Sequence, residues 1–433
     1  MQVKVTRFAP SPTGLLHLGG LRTCLFNYLL ARKSNGRFLL RIEDTDTKRL
    51  FKNAIPNLIS NLNWLNLNFD NQIHSIHPSL SFIQSHRSNI YKSHSEILLK
   101  NGHAYHCFCT QERIENVRNL NRLAKNSSSY DRKCLNLSKH QIDSNLASNI
   151  PFTIRLKIPR IPKITLTDLI HGNLEFSSRS LDDMILIKSD GLPTYHLANV
   201  VDDHLMGVTH VLRGEEWIPS TPAHIVLYTA FGWKPPAFAH LPLLVKEDGS
   251  KLSKRQNDVH LDYFKENGYL PEALLNFVAL LGWSPGAEAK EMYTIDELIE
   301  NFNLSQVNKS SAVVSFDKLD YLNKLHIAHQ LQNPNSRSKF CALIKDFFIK
   351  EYGKDVIDEL QSKLSDDEYF NSLIDLVHNR CRVMTQFSKL LRPFFCEPNH
   401  TSQESIEMLS TFNLSDIYKA KLYDLFVDMN STC

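Results

Sequence analysis

The chain has 433 residues, 42% hydrophobic and 22% charged, a composition ordinary for a globular protein of two to four domains. No apolar run approaches the ~18 residues of a membrane-spanning helix, so no membrane association is expected. A net charge of +3 does not announce nucleic acid by itself, because phosphate contacts need local clusters of lysine and arginine rather than a large total.

Residues 2–8 alternate and predict a strand. The turn Pro10-Ser11-Pro12-Thr13-Gly14 follows. Leu21, Leu25, Tyr28 and Leu29 then keep a helical period until Asn35-Gly36 stops it. Residues 38–42 read as a second buried strand, ending at Glu43-Asp44-Thr45-Asp46. Strand, helix, strand at this spacing predicts a βαβ unit with a parallel sheet, whose functional groups collect at the carboxyl ends of the strands. The N-terminus shows neither a secretory apolar segment nor an arginine-rich presequence. The eight cysteines are scattered, and no disulfide framework is expected.

Residues 103–180 break this rhythm and predict an inserted α+β domain with short strands such as 152–158. The sheet is expected to resume at 184–188 and 194–201. A further strand over 208–213 ends in Arg213-Gly214-Glu215-Glu216. The next helix takes Thr221 as N-cap, Pro222 at its first position and Gly232 at its end. Beyond about residue 260 the pattern is helical: 271–281 runs from proline to Gly282, and Thr294-Ile295-Asp296-Glu297 is a capping box.

Four groups of residues carry chemistry. His17 lies in a glycine-rich turn (Gly14, Gly19, Gly20) where a helix begins, and free N–H groups and a positive dipole end favour phosphate there. The same pattern also suits a plain tight turn with a surface histidine. Lys251, Ser253, Lys254 and Arg255 follow the turn Glu247-Asp248-Gly249-Ser250, which places cations on a loop. Such cations stabilise a pentavalent phosphorus, or form an ordinary solvated surface. Arg7, Ser11, Glu43, Tyr195, Asn199 and Arg213 fall at or near strand ends and could surround a zwitterion, arginine gripping a carboxylate and carboxylate accepting from an ammonium. Glu43, Asp44, Asp46 and Arg41 could instead form a structural ion-pair cluster. Cys107-x-Cys109 and Tyr130-x3-Cys134 offer three thiols, with Tyr130 or His140 as a fourth zinc ligand, or three partly buried free thiols.

The segments 7–20, Leu40-Arg41-Ile42-Glu43-Asp44-Thr45-Asp46, 195–204, Arg213-Gly214-Glu215-Glu216-Trp217 and 251–255 together resemble a class I aminoacyl-tRNA synthetase, specifically the bacterial and organellar glutamyl-tRNA synthetases. The resemblance spans roughly the first 330 residues. It implies an α/β fold with a Rossmann-like parallel sheet, an α+β insert and an all-helical C-terminal region. Its implied divisions are a first catalytic half (1–102), an acceptor-stem-binding insert (103–190), a second catalytic half (191–260), a helical stem-contact region (261–330) and a shortened anticodon-binding region (331–433).

The implied reaction uses ATP and Mg²⁺ to activate L-glutamate as glutamyl adenylate, then transfers the glutamyl group to the terminal ribose of tRNA-Glu, with tRNA-Gln a second candidate acceptor. By resemblance, His17, Lys251 and Lys254 are catalytic, and Gly14, Gly19, Gly20, Ser253 and Arg255 join them around ATP. Glutamate is held by Arg7, Ala9, Ser11, Glu43, Tyr195, Asn199, Arg213 and Trp217. Zn²⁺ would sit on Cys107, Cys109, Tyr130 and Cys134, because Asn136 occupies the place where some members carry a histidine ligand. A monomer is expected. Phe238-Ala239-His240-Leu241-Pro242-Leu243-Leu244 and Lys254-Arg255-Gln256 look closest to the mitochondrial branch, implying the mitochondrial matrix. The missing presequence leaves a bacterial cytoplasm as the alternative.

Two other readings compete. One is an enzyme that glutamylates a modified base of tRNA-Asp, although that family lacks a helical C-terminal region. The other is an inactive tRNA-binding paralogue, against which His17, Lys251 and Lys254 all stand.

Overall fold

A computed structural model describes residues 2–71, 81–123, 130–178, 181–250, 252, 260–286 and 290–395. Two compact units emerge, Met1–His326 and Ile327–Cys433.

The first unit begins with β1 (Val5–Phe8), α1 (Leu18–Lys33) and β2 (Arg37–Leu40), and β1 and β2 pair in parallel. After β2 come α2 (Ala54–Trp64), α3 (Ser88–Lys100), β3 (Ala104–Cys107), α4 (Gln111–Leu123), α5 (Lys139–Ala147), β4 (Thr153–Leu156), the hairpin β5 (Ile164–Asp168) and β6 (Gly172–Phe176), and β7 (Ile185–Ile187). The chain continues through α6 (Tyr195–Leu205), β8 (His210–Gly214), α7 (Thr221–Phe231), β9 (Ala237–Leu241) and β10 (Leu244–Val245). It proceeds to α8 (Leu261–Glu266), α9 (Pro271–Leu280), α10 (Ile295–Asn301), β11 (Ala312–Val313) and α11 (Phe316–Gln332), whose last turns belong to the second unit.

The main sheet has four strands in the order β6-β5-β9-β8, and β1 and β2 form a two-stranded sheet beside it. β8 pairs with β9 in parallel, β5 meets β9 in parallel at Asp168 and Phe238, and Thr209 N, just ahead of β8, donates to Val5 O of β1 at 2.9 Å. Both faces are covered. Phe38, Leu40, Leu212 and Ala239 enter a core with α1, α9 and α10, whereas Leu39, Val211 and Phe238 enter a second core with α3, α6 and α7. Successive strand residues point to opposite faces, so a doubly covered parallel sheet reads as a continuous apolar run. α1 ends because Ser34 caps it and Asn35 takes φ 49, a left-handed conformation that asparagine tolerates.

In the second unit, α12 (Pro334–Ser365), α13 (Asp367–Val377) and α14 (Met384–Phe395) share a core. Phe370, Leu373, Ile374 and Val377 form one buried stripe at helical spacing, and Phe348 meets Phe370 and Phe395 with ring centroids 6.5 and 5.2 Å apart.

Three expectations need correction. Residues 194–201 are not a strand: they open helix α6, where residues 197–203 are all buried, so no one-sided period marks the helix. Segment 184–188 does not resume the main sheet, because β7 pairs antiparallel with β4 in a separate sheet, β3-β4-β7. Thr221 is the first residue of α7 rather than its cap; its hydroxyl donates to Trp217 O at 2.9 Å instead. The Gly232 ending (φ 71), the helix over Pro271–Leu280 and the Thr294/Glu297 capping box agree with the expectation.

Candidate active site

Three strand ends and one helix bring the charged candidates together. Arg7 projects from β1 and Arg213 from β8, both buried. Tyr195, Asn199 and Asp203 occupy successive turns of α6 and share one face. Asp203 accepts from Arg7 Nε at 3.1 Å and from Arg41 Nη1 at 2.6 Å, and Arg41 Nη2 also donates to Glu43 at 3.1 Å. The Asn199 amide completes the network when its nitrogen donates to Asp203 Oδ2 at 3.2 Å and its oxygen accepts from Arg41 Nη2 at 3.0 Å. Burial opposes the charge on Asp203, yet Arg41 and Arg7 hold its carboxyl below the usual range. At Glu43 burial wins over the same arginines, and its pKa is raised.

Arg213 is held from several sides. Its Nη1 donates to Tyr195 Oη at 3.1 Å and its Nη2 to Thr221 Oγ1 at 2.8 Å, while its Nε donates to His240 Nε2 at 3.1 Å. The Trp217 ring lies 4.2 Å from that of Tyr195 and 6.0 Å from the guanidinium carbon. Burial, and then Arg213, push His224 well below its ordinary value and His196 down to about 4. Tyr195 is raised by burial first, with Arg213, Glu43, Arg7 and Asp203 all acting on it. Arg7, Glu43, Tyr195 and Arg213 thus share one electrostatic environment.

His17 caps α1, and its Nδ1 accepts from Gly20 N at 3.3 Å, which makes Nε2 the protonated nitrogen of a neutral ring. Space explains the glycines: a Cβ at Gly19 would meet the His17 ring at 3.2 Å, and one at Gly20 would meet Leu16 at 2.9 Å. Gly14 has open space around it, so its turn does not need a glycine for room. Ala9 is half-buried beyond β1, and Ser11 is exposed. Lys251, Ser253, Lys254 and Arg255 lie outside the described residues. Within that stretch Leu252 N donates to Leu244 O at 3.2 Å, and beyond it His260 pairs with His17.

The model of class I tRNA synthetases specific for E and Q, catalytic domain, matches residues 3–321. The chain belongs to the glutamate–tRNA ligase family of these synthetases. It is 42% identical over 408 residues to the glutamate–tRNA ligase of Clostridioides difficile strain 630, covering 91% of this chain and 80% of that one. It is 50% identical over 344 residues to the mitochondrial glutamate–tRNA ligase of Saccharomyces cerevisiae, covering 76% of this chain and 62% of that one. The solved glutamate–tRNA ligase of Elizabethkingia meningosepticum, in complex with its amino acid, superposes with a TM-score of 0.83 at 34% identity, covering 98% of this chain and 86% of the other.

In this synthetase the second cluster lies beside the three-stranded sheet β3-β4-β7. The sulfurs of Cys107, Cys109 and Cys134 lie within 4.8 Å of one another. Tyr130 Oη lies 3.3 Å from both Cys107 Sγ and Cys109 Sγ. His140 is exposed on α5 and is not part of this group. A hydrogen bond from Cys134, with help from Tyr130 and Arg155, lowers Cys107 to about 4, and the same bond raises Cys134. The three sulfurs could supply three of the four ligands of a structural zinc ion, and Tyr130 Oη stands beside them where a fourth would sit.

Of the sequence alternatives, the ion-pair cluster divides. Arg41 and Glu43 pair, but Asp44 accepts from Ser85 N and Oγ at 2.8 and 2.6 Å, and Asp46 pairs with Arg49 on the surface. Sequence reasoning gives Asp203, His240, His224 and Thr221 no part in the site, although Asp203 and His240 lie inside the quoted segments 195–204 and 238–244 and Thr221 is named as a helix cap. Their partners lie on other elements.

Proposed function

We propose that the Arg213 pocket binds L-glutamate and the His17 turn binds ATP. The observation that carries this is the meeting of Arg213 with Tyr195 and Trp217 beside Arg7 and Glu43: cations for a side-chain carboxylate, and a carboxylate for an α-ammonium. An anionic side chain buried without such partners would cost several kcal/mol (~2–7 for a polar group, more for a charge).

The chain works as a glutamate–tRNA ligase. In our reading, the α-carboxylate oxygen attacks the α-phosphorus, the bond to the β-phosphate oxygen breaks, and pyrophosphate leaves. His17 Nε2 donates to a phosphate oxygen. Lys254, aided by Lys251, stabilises the charge gathering on the α-phosphate, and Ser253 and Arg255 complete the phosphate contacts. The pairing of His260 with His17 supports this, because it ties one end of the lysine-bearing segment to the phosphate turn. Mg²⁺ would neutralise the phosphates of ATP, and we assign it no protein ligand. The terminal ribose hydroxyl of tRNA then attacks the glutamyl carbonyl, and AMP departs.

The insert at 103–190 would contact the acceptor stem, with zinc on Cys107, Cys109, Tyr130 and Cys134, and 331–433 would face the anticodon. tRNA-Glu is the expected acceptor and a monomer the expected assembly. The 50% identity to the yeast mitochondrial relative supports mitochondrial translation, whereas the bacterial relatives support a cytoplasmic one. The deciding experiment supplies labelled glutamate or glutamine with ATP, Mg²⁺ and a tRNA pool. Glutamate should become acid-precipitable only with both ATP and tRNA. Transfer of glutamine instead, or none to any tRNA, overturns the assignment.

A further inference from the structure

Arg213 Nε donates to His240 Nε2 at 3.1 Å. On the far side of that ring, His240 Nδ1 lies 2.6 Å from Asp168 Oδ2, and both residues are fully buried. A neutral imidazole has one donor and one acceptor. The carboxylate takes the Nδ1 proton, which leaves a lone pair on Nε2 facing the Arg213 N–H.

Asp168 is itself fixed at the end of β5. Its Oδ1 accepts from the N–H groups of Ile170 and His171 at 2.9 Å, and its carboxylate also meets His240 N at 3.2 Å. Burial opposes its charge, but the bond from His240 and these N–H groups keep it below the usual carboxylate range. Burial and Arg213 keep His240 low and neutral, against the pull of Asp168. Phe238, one side-chain layer away, stacks on His240 at 6.1 Å and lies under the guanidinium at 5.4 Å, so the ring and the arginine are clamped together.

We propose that Asp168 and His240 are positioning residues for amino-acid selection: Asp168 sets the His240 tautomer, and His240 aims the Arg213 guanidinium at the side chain of the substrate. The β5–β6 hairpin thereby takes part in recognition although it touches no substrate. This rests on the reading of Arg213 as a glutamate-binding residue. Partners that orient a binding group in this way have a parallel at metal sites, where their loss typically costs about 10–100-fold.

Asp168→Asn tests it. The amide keeps an oxygen for the Ile170 and His171 N–H groups, but its NH₂ faces Nδ1 and reverses the tautomer, setting N–H against N–H at Arg213. The KM for glutamate should rise at least tenfold, while the KM for ATP and kcat at saturating glutamate stay within threefold. Adding His240→Gln should restore much of the glutamate KM, because the glutamine oxygen can accept from Arg213 Nε whatever stands at 168. Equal loss in the KM for glutamate and for ATP, with no rescue, would mean a merely structural pair and overturn the proposal. Arg213→Ala is measured alongside: an unchanged glutamate KM there would overturn the site reading itself, a separate failure from that of the relay.

Discussion

The glutamate pocket and the cysteine cluster solve the same problem, how to hold polar groups inside the fold, in opposite ways. In the pocket, Arg7, Arg41, Glu43 and Asp203 neutralise one another; Arg7 is rooted in β1, Asp203 in α6, and Arg41 and Glu43 in the segment that follows β2, among elements packed against two large cores. Around the thiols, Tyr105, Cys107, Tyr130 and Cys134 form a small buried cluster with four half-buried neighbours. The first region embeds its charge pairs in extensive packing. The second has few apolar neighbours, so bonds among its own thiols, or a metal, carry a larger share of its stability.

The largest expected effect follows from breaking the pocket. Asp203→Ala leaves Arg7 and Arg41 buried without their shared partner and should destabilise the first unit by about 3–5 kcal/mol. Urea unfolding checks it, and a loss under about 1 kcal/mol would mean water or Glu43 substitutes fully. Arg213→Ala comes next: the KM for glutamate should rise about a hundredfold, with little change in melting temperature, because the Arg213 guanidinium donates to the side chains of Tyr195, Thr221 and His240. A large melting shift with unaltered KM would reverse the roles assigned to the two arginine groups.

The cysteine cluster should behave otherwise. Cys134→Ser, or exhaustive chelation, should lower the melting temperature by several degrees, roughly the effect of 1–2 kcal/mol. Glutamyl adenylate formation should persist, while aminoacylation at limiting tRNA falls. Metal analysis of the purified protein should return one zinc per chain, and none, with melting unmoved by chelator, would leave three free thiols. The smallest effect concerns pH. His196 and His210 are each lowered to about 4, by burial first and then by Arg213 and Lys4 respectively. An unfolded chain protonates them near pH 6.5, so it binds more protons than the fold between about 6.5 and 4. Their contribution to stability is whole above pH 6.5 and is lost as the pH falls toward 4. A melting temperature that rises over that acid interval would contradict the assignment.

The βαβ start, the helix over Pro271–Leu280 and the Thr294 capping box were legible because their signals are local: turn residues, a helical period and cap chemistry within a few positions. Helix α6 was not. Its run Leu197-Ala198-Asn199-Val200-Val201-Asp202-Asp203 is buried on every side, so the usual alternation of apolar and polar faces is absent, and β-branched residues mimic a strand.

By itself, then, the sequence determined the parallel α/β class, the family motifs and the identity of the groups that can bind a carboxylate, an ammonium or a phosphate, because each depends on residue type and short spacing. Only the tertiary structure decided which charges neutralise one another. Asp203 meets Arg7 and Arg41 from 196 and 162 positions away, and Asp168 reaches His240 across 72. Such pairings are set by strand order and helix packing, and no local pattern encodes the distance at which two buried charges come to rest.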